Sequence, residues 1–266
     1  MGTSGWRAYD HYAYAAVAML GTLAAVVATY WLLAGSPWSE WARSLAGVSS
    51  PFTNVVGVLF GLTLAFLAND TWTAHDRATN AVLREADAIR GLLIVSRTLD
   101  GPERNALHAA IADYARASVA EWPLLARRSI SPAAIDGGDR LLSLAASRAV
   151  GASVGGTVQQ LMLRQVTAIR ESRDLRIGLS QTHVDPLKWL SMAFLGFLTL
   201  LSVAVVHVGD PKAALVAMVL FGSAAAPTAA IVLIHGNPFQ RPSVVASAPI
   251  LAALSRASVA DGEEAA

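Results

Sequence analysis

The chain has 266 residues, 54% of them hydrophobic, and a mean hydropathy of +0.47. A net charge of +1 supplies no bulk field for holding nucleic acid. With no cysteine, disulfides, thiolate metal sites and cysteine nucleophiles are excluded, and the redox compartment cannot be read.

An α-helix rises about 1.5 Å per residue and needs about 20 residues to cross about 30 Å of hydrocarbon. Four stretches without Asp, Glu, Lys or Arg meet that length: 12–39, 44–69, 189–209 and 213–240. The first predicted span is Tyr12–Leu33. Tyr9, Tyr12 and Tyr14 lie at one end, with Tyr30, Trp31, Trp38 and Trp41 at the other, as befits rings that favour the membrane–water boundary. This run is longer than the core of a secretory signal, and no clean small-residue cleavage site ends it before Trp38, so it reads as a retained helix. The second span, Phe52–Leu67, follows Pro51, which suits a first helical turn. Gly57 and Gly61 thin one of its faces.

From Asp70 to Gln181 the pattern stays helical but becomes polar. Trp72–Leu99 contains no proline and only Gly91, and repeats apolar residues at Val82, Ile89, Leu92 and Leu93. This predicts one helix continuing the second span without a break. Asp100-Gly101-Pro102-Glu103 ends it and starts a helix running to about Arg128. Ser131-Pro132 and Asp136-Gly137-Gly138 read as a loop, Asp139–Val150 as a shorter helix, and Thr157–Ser180 as the last helix of the segment. A third span, Leu187–Val208, opens at Asp185-Pro186. The tight turn Gly209-Asp210-Pro211 joins it to a fourth, Ala213–His235. Val244–Ala260 is weakly apolar but interrupted by Pro249 and three serines, and reads as a surface-lying tail.

The predicted fold is therefore an all-α integral membrane protein. It has a transmembrane pair in 1–69, a helical cytoplasmic domain in 70–184, a second pair in 185–237 and a cytoplasmic tail in 238–266. Orientation follows from the basic residues. With four spans, 18 of the 20 Lys and Arg fall on the side shared by the ends and the middle segment, against Arg43 and Lys212 on the other. Basic loops stay inside, so both termini are expected in the cytoplasm, with the chain in the cell's inner membrane.

Polar residues at membrane depth are the first candidates for function. Asn54 and Thr63 lie in the second span, and Asn69 and Asp70 at its end. Such groups can line a pathway. The plainer reading puts Asn54 at the interface and bonds Thr63 to its own helix backbone. Arg170, Arg173 and Arg176 recur at i, i+3, i+6 among Glu171 and Asp174, and read first as a solvated or subunit-facing run. Anionic-lipid contact and a vestibule lining are the other readings. Enzyme signals are thin. Asp113 and Glu121 share a face, His75-Asp76 is a local pair, and His183 and Asp185 lie near the third span, but no nucleophile triad, phosphate loop or His-Glu-x-x-His occurs. Neither catalysis, a metal nor a cofactor is expected.

The segment from Pro51-Phe52 through Gly57, Leu64, Phe66 and Asn69-Asp70, followed by Trp72, Arg77 and Glu85-Ala86, resembles the second membrane helix of bestrophins and its exit. It departs from them at Leu67, where they carry Arg. The chain is more similar to a bacterial bestrophin-like family of unassigned function. The shared features are the Leu-x-Phe stretch, Glu85-Ala86, Tyr114 with Glu121-Trp122, the Arg-x-x-Arg run before Pro186 and Trp189, and Pro238-Phe239. These motifs are individually weak and persuade by their order, from about Pro51 to Ile250.

The resemblance implies a homo-oligomer, a pentamer, with an axial pore lined by the second helix. By the Gly57 and Phe66 matches the neck is Val58, Leu62 and Phe66. Asn54, Thr63, Asn69, Asp70, Arg170, Arg173 and Arg176 would lie at the pore entrance or vestibule. The neck residues fall at i, i+4, i+8 on one stripe. Stacked apolar rings gate by dewetting, whereas a stripe that packs against other spans does not. The expected partners are other copies of the chain, inorganic ions and membrane lipids, with no nucleic acid. The alternative is a non-conducting scaffold or sensor whose cytoplasmic helices bind a partner.

Overall fold

A computed structural model describes residues 10–255 except 38, 45, 182–185 and 243. The expectations resting on Tyr9, Trp38, His183 and Asp185 therefore lie outside the described residues. Every regular element described is helical. The order is α1 (Asp10–Gly35), α2 (Ser39–Ser44), α3 (Ala46–Ser96), α4 (Gly101–Ala120), α5 (Trp122–Leu125), α6 (Pro132–Ala145), α7 (Arg148–Gln181), α8 (Pro186–Val206) and α9 (Pro211–Ile234). Segments of α1, α3, α8 and α9 are long and apolar enough to cross a membrane. The chain divides into two units, one from Ala74–Thr182 with Asn237–Ala266, the other from Tyr9–Thr73 with His183–Gly236.

In the second of these units, α1, α8 and α9 enclose a small apolar core of Val26, Leu33, Leu200, Ala204 and Met218. The α3 segment joins a further cluster through Leu67, which meets Met192 of α8 and Ala229 and Val232 of α9. Gly196 makes this approach close, since a Cβ there would stand 3.1 Å from the Phe60 ring. The hydroxyls of Thr22, Thr63, Thr199 and Thr228 each donate to the carbonyl four residues back at 2.8 Å, so none is left bare in an apolar helix. The turn before α9 is capped by Asp210, whose carboxylate accepts from the backbone N–H of Lys212 and Ala213.

The other unit has a larger core, built from the later part of α3 and from α4, α5, α6, α7 and the segment after α9. As expected, α3 continues the second span without a break to Ser96. Three expectations need correction. Asp136-Gly137-Gly138 lies inside α6 instead of a loop, because Gly137 and Gly138 face the Tyr114 ring, where a larger residue has little room. The shorter helix does not run through to Val150: α6 ends at Ala145, a new helical segment starts at Arg148 and breaks at Gly155, whose φ of 77° suits glycine, and beyond that break α7 covers the expected Thr157–Ser180. Finally, Val245, Ile250 and Ala253 are buried in the core, so this part of the tail does not lie on the surface. Trp122 holds it by donating its indole N–H to the Val245 carbonyl at 2.7 Å.

Candidate functional site

Two sets of residues stand out, one on each unit. The first is the face of α3 that its neighbours leave uncovered. Each helical residue turns about 100° from the last, so Val56, Phe60, Leu64 and Leu67 form one side. Val56 and Leu67 are buried, and Phe60, Leu64 and Leu67 belong to the cluster with α8 and α9. The opposite side carries Val58, Leu62 and Phe66, which are 61%, 51% and 67% exposed. Among the described residues the stripe therefore does not pack against α1, α8 or α9. Burying one face of α3 against Gly196 and Met192 leaves the other uncovered by the described residues.

The candidate entrance residues divide. Asn54 and Asn69 are exposed and lie about 22 Å apart along the helix, bracketing the apolar stripe on its own side. Thr63 is half-buried and bonds the Leu59 carbonyl, matching the plainer of its two readings. Asp70 is exposed, but its carboxylate accepts from the Lys188 ammonium at 2.7 Å.

The second set is a buried polar network. Glu85 comes from α3, Tyr114 and Ser118 from α4, and Arg176 from α7. Arg176 donates through Nε to one Glu85 oxygen at 2.7 Å and through Nη2 to the other at 3.0 Å, with neither side chain exposed. Tyr114 and Ser118 donate to the same carboxylate at 2.9 and 2.7 Å. Arg176 also donates to the Ser118 hydroxyl at 2.8 Å. Its guanidinium lies 4.6 Å from the Trp122 ring centre, so the Nη1 left without a hydrogen-bond partner belongs to a cation stacked on an aromatic face. Burial, then the Glu85 charge, pushes the Tyr114 phenol well above its usual 10.0.

One helical turn earlier, Arg173 grips Glu121 with bonds of 3.1 and 2.6 Å, while the Ser131 N–H donates to Glu121 at 2.8 Å. Burial lowers the Arg173 pKa, but the Glu121 hydrogen bond and charge outweigh it, and the group stays cationic. The expectation of a solvated or subunit-facing arginine run thus holds for Arg170, which is part-exposed and 3.3 Å from Asp139. It fails for Arg173 and Arg176, and neither is available in the protomer to line a vestibule. The reason is the i, i+3 spacing, which points both into the core, where two carboxylates wait. The sequence marks Glu85 as part of a motif but gives it no site role, although the signal was there: it falls in the buried stripe of Val82, Ile89 and Leu92, where a charge needs a partner.

Residues quoted above as separate weak motifs thus meet in one place. Glu85, Tyr114, Trp122 and Arg176 share contacts, Arg173 and Glu121 pair beside them, and Phe239 packs edge-on against Trp122 at 5.7 Å. Among the described residues no three His, Asp or Glu are grouped to hold a metal ion. A family model described as a Bestrophin-like domain matches residues 20–250. No curated protein and no solved structure matches the chain.

Proposed function

This chain belongs to the bestrophin-like domain family, and from that premise we propose that it is a homo-oligomeric membrane ion channel whose pore is lined by α3. The observation that carries the reading is the exposure of Val58, Leu62 and Phe66 on a helix whose other face is packed. An apolar stripe at membrane depth left uncovered by the described residues must meet lipid, another copy or a pore axis. Family membership favours the axis. Copies arranged around it stack apolar rings, whose dewetting closes the path to ions. Asn54 and Asn69 would cap the constriction with amide rings at either end. Asp70 contributes less field than a bare carboxylate because Lys188 neutralises it.

On this reading 70–184 and both ends lie in the cytoplasm of a multi-pass inner-membrane protein, a topology supported by the four helices of spanning length and the 18-to-2 basic asymmetry. The resemblance to bestrophins supports a subunit number of five. The two buried Glu–Arg pairs have a structural role: they hold the later part of α3, α4 and α7 together.

The test is reconstitution in planar bilayers or liposomes. Ion current from the purified oligomer supports the channel. A stable oligomer that never conducts leaves the scaffold or sensor reading in its place.

A further inference from the structure

The exposed face of α3 does not stop at Phe66. Positions Leu62, Phe66, Asn69, Thr73, Asp76, Asn80, Leu83, Asp87, Arg90 and Ile94 follow one another in steps of four and three, and all are exposed except Thr73, which is half-buried. Alternating steps of four and three are a 3.5-residue repeat, the spacing by which parallel helices keep one seam facing a partner. In the unit that begins at Ala74, that seam is narrow. Ala81, Val82, Glu85, Ala88, Ile89, Leu92 and Leu93 fill the inner side, while Leu83 and Ile94 are 50% and 53% exposed. Beside the seam runs a groove of about 510 Å³, with Leu83, Asp87 and Arg90 on one wall and Ala246, Pro249 and Ala252 on the other.

We infer that this seam, Leu83 to Ile94, is the contact between copies of the chain outside the membrane-spanning stretch. The inference rests on the oligomer reading above and adds where the copies touch. Three features favour a second copy over any other occupant. Leu83 and Ile94 stand exposed on one face of α3, and copies inserted the same way in one membrane run their α3 helices in parallel, so that face meets its own counterpart. Charges of opposite sign sit one turn apart at Asp87 and Arg90, so parallel copies offset by about one turn bring Arg90 of one beside Asp87 of the next. The seam is also continuous in sequence with Leu62 and Phe66 of the proposed neck. Polar layers at Asp87 and Arg90 between the apolar layers of Leu83 and Ile94, with a further polar layer at Asn80 before them, specify register at the expense of stability.

Because the chain has no cysteine, the full-length protein is its own background for single-cysteine cross-linking. Leu83→Cys and Ile94→Cys, oxidised or treated with a short bismaleimide in native membranes, should each give dimers on a denaturing gel. Arg116→Cys, on an exposed position of α4, should stay monomeric. The mass of the wild-type particle in nanodiscs is measured alongside. If the wild type is an oligomer and neither seam cysteine cross-links, the inference is overturned while the channel reading stands; a membrane surface or an unrelated protein covering the seam would produce that result. A monomeric wild type overturns both.

Discussion

Arg176 and Glu85 are 91 positions apart, yet they form a two-bonded ion pair with neither side chain exposed to solvent. A buried pair of this kind is weak evidence of net stabilisation, because desolvating both charges offsets much of their attraction. Losing one member is another matter, since the remaining charge stays buried. Arg176→Met should destabilise the protein by about 3–5 kcal/mol, read as a lower melting temperature in detergent. Glu85→Leu combined with Arg176→Met should recover part of the loss. Arg176→Lys should not restore it, because an ammonium cannot replace the two-pronged guanidinium. An Arg176→Met variant that melts with the wild type would contradict this network.

Tyr114 makes the same network sensitive to alkali. Burial and then Glu85 raise its pKa above 10.0 in the folded protein. A raised folded pKa means that its contribution to stability is fully present below pH 10 and is lost as pH climbs through and above that value. Melting temperature should therefore fall above about pH 10 more steeply for the wild type than for Tyr114→Phe, which has no proton to lose. Parallel alkaline limbs for the two proteins would show that another group governs the loss.

The long helix α3 gives a backbone test. Gly91 lies inside it, and the atoms nearest a Cβ there would be the end of the Gln165 side chain, at 3.0 Å. Gly91→Ala should therefore be tolerated after a small side-chain shift. Gly91→Pro removes a backbone donor and clashes with the preceding turn, costing about 3 kcal/mol or more. Its yield of purified oligomer should collapse. Normal yield would mean that α3 is not needed as one unbroken helix.

The segments that the sequence exposed most plainly were those governed by a single physical rule. Length without charge predicted Tyr12–Leu33, and the spanning segment of α1 has those bounds. The continuation of α3 was legible because nothing between Trp72 and Leu99 except Gly91 opposes a helix. What remained hidden depended on distant partners. Asp136-Gly137-Gly138 has loop chemistry locally, yet its glycines are helical because Tyr114 needs the room. Val245 and Ile250 looked too interrupted to be core, but they are covered by Trp122 and its neighbours from over a hundred positions earlier. Arg173 and Arg176 looked like surface because Glu171 and Asp174 stand beside them, while their true partners are Glu121 and Glu85. The α3 stripe was legible as a stripe. Which side of it would be covered was not, because that depends on Gly196 admitting Phe60.

The topology carries its own test. If the 18-to-2 distribution of basic residues orients the chain, a reporter fused after Ala266 should report the cytoplasm. A fusion active only outside the cytoplasm would reverse the orientation assigned to every segment.

The central claim is that Val58, Leu62 and Phe66 face a pore, and flux through the Phe66→Ala and Leu62→Ala proteins in liposomes tests it most directly. All three side chains are more than half exposed in the protomer, so truncation should not leave the cavity that costs a packed core about 2–5 kcal/mol. Both variants should keep the wild-type oligomer. A smaller ring widens and wets the constriction, so the account predicts ion flux above that of the wild type in each. Intact oligomers whose flux stays at the level of protein-free liposomes, in wild type and variants alike, would contradict it.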